Sequence, residues 1–102
     1  MRTLKELRLK LGLFFLLLST FVYAQGKDKF TIVLDAGHGG KDYGAVYGEF
    51  IEKNIALKVV LKIGEILEKD PSIEVIYTRK EDVFVELIQR AAIANKADAN
   101  FF

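Results

Sequence analysis

The chain contains no cysteine in 102 residues. That absence excludes a disulfide framework, a thiolate metal site and a cysteine nucleophile together. Any metal here has to be held by histidine, carboxylates or water. Histidine is nearly as scarce, with His38 the single one. An excess of one charge sign is missing too. The full chain holds 15 basic and 14 acidic residues; the first 24 contain four of the former (Arg2, Lys5, Arg8, Lys10) and one of the latter (Glu6), leaving 11 and 13. No clustered basic face results, so no nucleic-acid partner is expected.

A long apolar run is also lacking. The best stretch, "LGLFFLLLSTFVYA" from Leu11 to Ala24, is short for a membrane span but suits the apolar region of a signal peptide behind a basic start. Val22 and Ala24 then occupy the −3 and −1 positions of a cut before Gln25. Residues 1–24 therefore read as a signal peptide, the alternative being an uncleaved anchor. No cysteine follows the run, so no lipid anchor is expected. The rest is read as exported to the periplasm or the extracellular space, without a stable membrane anchor after cleavage. The 78 residues from 25 to 102 are few for a lone core without disulfides or metal. The ending "ADANFF" resembles the opening of a buried strand, and the expectation is the first part of a larger domain.

What is present has an α/β order. "KFTIVL", Lys29 to Leu34, is apolar and β-branched and reads as a buried strand. Residues 35–50 carry five glycines and read as loop. From Glu52 to Lys69, Ile55, Ala56, Val59, Val60, Ile63, Ile66 and Leu67 recur at three- and four-residue steps. Lys53, Lys58, Lys62, Glu65 and Lys69 lie largely opposite, which predicts an amphipathic helix. Asp70-Pro71 stops it. "IEVIY" (73–77) predicts a second strand, "TRKED" (78–82) a charged loop, 86–97 a second helix, and 100–102 the start of a third strand. The order β-loop-α-β-α-β implies a largely parallel central sheet flanked by helices, cut before the domain is complete.

The stretch "LDAGHGG", Leu34 to Gly40, sets the lone histidine among glycines at the end of the first strand. It fits no dinucleotide fingerprint, because the position that needs the last glycine is Asp42. Nor is it a phosphate-binding P-loop, because Gly40-Lys41 is followed by Asp42. A metal-ligand loop beyond a strand's carboxyl end survives. Glu52, 14 residues on at the first helical turn, is the natural partner, since imidazole and carboxylate suit zinc. Spacing alone leaves Glu52 open as a helix N-terminal acid favoured by the macrodipole, and His38 open as a polar loop residue.

"IVLDAGHGGKDYGAVYG", "EKNIAL", "VIYTRKED" and "LIQRAAIAN", in that order, closely resemble the start of the zinc-dependent N-acetylmuramoyl-L-alanine amidases of bacterial cell-wall turnover, over roughly residues 31–102. The resemblance implies Zn2+ as cofactor, peptidoglycan as substrate and a zinc-activated water that cleaves the amide between N-acetylmuramic acid and L-alanine. It makes 25–102 the N-terminal part of a catalytic domain. In that family the histidine of GHGG and the glutamate of EK bind zinc, which places those roles on His38 and Glu52. The family's second histidine and its catalytic glutamate fall beyond residue 102. Ala36 and Tyr43 stand where many members have proline. Asp35 is a candidate support for the histidine or, equally, an acceptor of turn amides. Arg79 and Arg90 match recurring family positions and are read as structural ion-pair formers, with Asp82 as a partner. Two other readings stay open: an inactive wall-binding module of the same fold, and another zinc hydrolase such as a polysaccharide deacetylase. The sequence names no protein activator.

Overall fold

The computed structural model describes residues 2–24 and 28–102, with backbone alone at 2 and 18–24. The expected cleavage position before Gln25 lies outside the described residues. Arg2–Ala24 forms one helix, α1. Among the described residues no helix is long and apolar enough to cross a membrane.

Strand β1, Phe30–Leu34, forms where the β-branched run was expected, with Thr31 and Val33 turned to the buried side. It pairs in parallel with β4, Ile73–Tyr77, in a register running from Phe30 opposite Ile73 to Leu34 opposite Tyr77. Parallel neighbours need a long crossover. Helix α2, Glu52–Leu67, supplies it. The α/β reading with a parallel sheet holds.

Its first turn is capped by backbone rather than by a side chain: the amides of Glu52 and Lys53 donate to the carbonyls of Ala45 (2.9 Å) and Tyr43 (3.1 Å). The helix ends two residues before the expected Lys69. Gly64 and Leu67 carbonyls accept from Glu68 and Asp70, and the Asp70 carboxylate then takes the Ser72 amide and hydroxyl. That local bonding favours a turn over another helical residue. Helix α3, Leu87–Lys96, begins after Glu86, whose amide donates to the Gln89 side chain at 3.3 Å.

Two sequence expectations change. The glycine-rich segment contains a short antiparallel hairpin, β2 (Val46–Tyr47) against β3 (Phe50–Ile51), with the turn at Gly48. The third strand opens where it was expected, in a parallel bridge between Ile32 and Phe101. Thr31 O accepts from the Asn100 and Phe101 amides (2.9 and 3.2 Å), Phe101 O accepts from Val33 N (2.9 Å), and the Asn100 side-chain carbonyl takes the Thr31 amide at 2.9 Å. The face of α2 also differs from its periodicity. Lys53, Val60 and Gly64 are buried, whereas Ile55, Val59, Ile63 and Ile66 are exposed.

Gly64 lies where α2 packs tightly on β4. A Cβ there would overlap the Tyr77 hydroxyl and ring, and that hydroxyl donates to Glu68 Oε1 at 2.9 Å. Gly64→Ala is expected to destabilise by about 1–3 kcal/mol, the usual cost of overpacking. Helix propensity acts in the other direction, by up to about 1 kcal/mol. A denaturant midpoint equal to or above the parent's would show that the Tyr77 ring moves aside freely.

Candidate metal centre

His38 follows the carboxyl end of β1, in a loop that turns back on itself through paired hydrogen bonds between Gly39 and Asp42. Its backbone is left-handed, with φ 62°, a region a side chain with a Cβ rarely adopts. This directs the imidazole toward the start of α2. There, Nε2 lies 3.0 Å from Glu52 Oε1. Both side chains are partly exposed, so the pair is reached from solvent.

Each partner's other polar atom is already committed. Ala45 and Glu52 exchange two hydrogen bonds, Glu52 N to Ala45 O (2.9 Å) and Ala45 N to Glu52 Oε2 (2.7 Å). Oε1 is thereby left to face the ring. On the other side, Asp42 Oδ2 lies 2.9 Å from His38 Nδ1, while its Oδ1 accepts from the Gly44 amide at 3.1 Å. An ionised carboxylate only accepts, so Nδ1 carries a hydrogen toward Asp42, and in the neutral imidazole Nε2 presents its lone pair.

A lone pair facing a carboxylate oxygen at 3.0 Å needs a cation between or beside them. A proton can serve. The Asp42 hydrogen bond raises the His38 pKa above its ordinary value, with desolvation opposing and the Glu52 hydrogen bond adding. The Glu52 carboxyl is held low by the Ala45 amide first and His38 second, and Asp42 by His38 first and the Gly44 amide second. A metal can serve equally. Donors on one zinc, at about 2.0–2.2 Å and tetrahedral angles, stand roughly 3.4 Å apart, a few tenths from what is seen.

The space around the pair fits that use. Gly44 has φ 64°, and a Cβ there would come within 2.7 Å of both Glu52 Oε2 and His38 Cδ2. A cleft of about 500 Å3 borders His38, lined by Asp42, Phe84, Val85, Leu87 and Arg90 among others. Another, of about 330 Å3, runs along Glu52 between Tyr47, Phe50 and Ile55. Among the described residues no group of three His, Asp or Glu side chains is arranged to hold a metal ion. His38 and Glu52 are thus the candidate donor pair.

Against this geometry the comparisons are specific. The family profile described as N-acetylmuramoyl-L-alanine amidase matches residues 32–102. The chain belongs to the N-acetylmuramoyl-L-alanine amidase family.

Relatives within the amidase family include the probable N-acetylmuramoyl-L-alanine amidase AmiB of Haemophilus influenzae, 40% identical over 91 residues, which are 87% of this chain and 21% of that protein. The endolysin of Bacillus phage SPP1 is 52% identical over 69 residues, 68% of this chain and 26% of the endolysin. Among solved structures, the catalytic domain of CwlV, an N-acetylmuramoyl-L-alanine amidase from Bacillus (Paenibacillus) polymyxa var. colistinus, superposes with TM-score 0.68 and 44% identity. That match covers 70% of this chain and 41% of the solved one. The chain thus spans about a fifth to a quarter of these curated relatives and two fifths of the solved domain.

The structure brings together some sequence candidates and separates others. His38 and Glu52 meet. Asp35 does not reach the imidazole. Its Oδ1 accepts from Thr78 Oγ1 and from Arg90 Nη1, each at 2.7 Å. The residue beside Nδ1 is Asp42, which the sequence reading passed over, although it stands four residues after the histidine in the same loop. Asp82 pairs with Lys53 rather than with an arginine. Lys53 is 6% exposed. It donates to Gly40 O (3.0 Å) and Asp82 Oδ2 (2.9 Å) and sits 3.9 Å from the Tyr43 ring centre.

The Lys53 hydrogen bond, then the Gly40 amide, hold the Asp82 carboxyl below its ordinary range. With its folded pKa below the unfolded one, ionised Asp82 stabilises the fold at neutral pH, and the contribution disappears as acid protonates it. Asp82→Asn is expected to lower the unfolding midpoint at neutral pH. The two proteins should converge well below the ordinary aspartate value of about 3.9. Denaturant melts across that range check this, and a gap that persists in acid would give Asp82 a role independent of its charge.

Proposed function

We propose that this chain carries the metal-binding half of an exported, zinc-dependent peptidoglycan amidase, which cleaves the amide between N-acetylmuramic acid and L-alanine. The observation that carries the reading is the 3.0 Å approach of His38 Nε2 to Glu52 Oε1, with Nδ1 and Oε2 each tied elsewhere. Family membership and the relatives' names support the substrate.

His38 and Glu52 would hold the zinc, with further donors from outside these residues. Bound zinc supplies polarisation of the scissile carbonyl and acidification of water. The chain's own residues prepare the place for it. Asp42 keeps the hydrogen on Nδ1 so that Nε2 stays available, and the Ala45 amide keeps the Glu52 carboxylate aimed. The two clefts on either side of the pair leave room for a substrate extended in both directions. Hydrolysis breaks the C–N bond between the lactyl carbonyl carbon and the alanine nitrogen, giving a muramyl carboxylate and a free L-alanine amine.

In the same reading, residues 1–24 are a secretion leader and 25–102 belong to the catalytic domain. The basic start and apolar continuation of α1 support it. Edman sequencing of the secreted protein should begin at Gln25.

Product analysis on purified sacculi tests the chemistry. The intact protein with zinc should release new L-alanine amino termini. Free acetate instead would assign a deacetylase, and wall binding with neither product an inactive module.

A further inference from the structure

Resting on the metal reading above, we infer that Arg90 is a positioning residue for His38, which it aims at Glu52 by holding the loop carbonyls from beneath. Arg90 lies on α3 and is 4% exposed, as is Arg79 just past β4. Together they take three successive carbonyls of the histidine loop. Ala36 O accepts from Arg79 Nε (2.8 Å) and Arg90 Nη1 (2.7 Å), Gly37 O from Arg79 Nη2 (2.8 Å), and His38 O from Arg90 Nη2 (2.8 Å).

The arrangement does more than join α3 to β1. A left-handed backbone at a histidine persists only when its surroundings over-determine it. With φ set and the same residue's carbonyl pinned, the direction of its Cα–Cβ bond is set as well. Arg90 pins that carbonyl with one nitrogen while the other bridges Asp35 Oδ1 and Ala36 O. Its Nε donates to Val85 O at 3.0 Å, which fixes the guanidinium plane. A planar fork satisfies acceptors at two separate nitrogens, and a single ammonium cannot stand at both. Arg79 has four carbonyls and no carboxylate within ion-pair reach among the described residues. The inward dipoles of the loop carbonyls therefore compensate its charge. Turned inward, those carbonyls leave the imidazole outward.

The test is Arg90→Lys in the intact protein, with Tyr77→Phe as a variant that loses a hydrogen bond away from the loop. Two readouts are taken. One is cobalt(II) affinity from its visible absorption. The other, without metal, is the nuclear Overhauser contact between His38 Hδ2 and Gly44 Hα. Arg90→Lys is expected to bind cobalt at least tenfold more weakly and to lose the contact, while amide-exchange protection in β1 and β4 stays within that of Tyr77→Phe. Parental cobalt affinity and an intact contact in folded Arg90→Lys would overturn the inference. So would an equal loss in Tyr77→Phe, because Arg90 would then act only through global stability. Should Arg90→Lys fail to fold, Asp35→Asn with Arg90→Met removes both charges together and carries the same readouts. If the parent binds no cobalt, the metal reading fails, and the metal-free contact still decides what Arg90 does.

Discussion

Changing His38 to alanine is expected to leave the intact protein without zinc and without amidase activity. Residues 1–102 offer no second histidine to substitute and no cysteine. The carboxylates at hand are committed: Asp42 to the Gly44 amide, Asp35 to Thr78 and Arg90. Loss of an outer partner of a metal ligand usually costs about 10–100-fold in affinity or activity. Asp42→Ala is expected in that range, and His38→Ala well beyond it. Zinc content by atomic absorption, measured beside turnover on labelled sacculi, orders the two. Zinc and turnover unchanged in His38→Ala would remove the assignment of the centre.

Glu52→Gln is the second large effect, and it separates two roles that the position combines. Glutamine is nearly as good a helix former as glutamate, and its carbonyl oxygen can still accept from the Ala45 amide. Its amide nitrogen would then face the His38 Nε2 lone pair and donate to it. The expected result is a metal-free protein that melts somewhat below the parent at neutral pH, because the ionised carboxylate held low by the Ala45 amide and His38 is gone, while zinc affinity falls by at least a hundredfold. Calorimetric titration and a thermal melt of the same preparation give both numbers. Retained zinc with a lowered melting temperature would reduce Glu52 to an acid that favours the helix dipole.

The elements that the sequence made legible are those with a repeating reason to exist. The β-branched run of β1, the three- and four-residue recurrence of α2 and the punctuation at Asp70-Pro71 all act within a few residues, and each appears within two residues of where it was expected. The hairpin at Val46–Ile51 has two-residue strands with side chains exposed at all but Ile51 and no alternation long enough to read. The third strand was read from Phe101 and Phe102, and its opening pairs with β1 through backbone bonds of Asn100 and Phe101 to Thr31 and of Val33 to Phe101.

The site divides along the same line. His38 and Glu52 could be named as candidates, but their meeting depends on a left-handed histidine and on a glycine at 44 that keeps the space beside both side chains clear. Asp35, the aspartate nearest the motif, bonds to Arg90 and Thr78 instead of the ring. Lys53, on the polar stripe of its helix by periodicity, is buried because Asp82 and Gly40 meet it from another part of the chain. Contacts between residues far apart in sequence leave no period to detect.

The exchange of two hydrogen bonds between Ala45 and Glu52 makes the beginning of a helix and the aiming of a ligand one thermodynamic unit. A fluctuation that frays the first turn of α2 also releases Oε1, and an ion captured by the pair has to hold that turn closed. Binding to the closed form alone shifts such an opening equilibrium by mass action. Occupancy should therefore be felt along the peptide backbone. The Ala45 and Glu52 amides would exchange with solvent more slowly as metal concentration rises, and the helix end becomes a local gauge of whether the centre is filled.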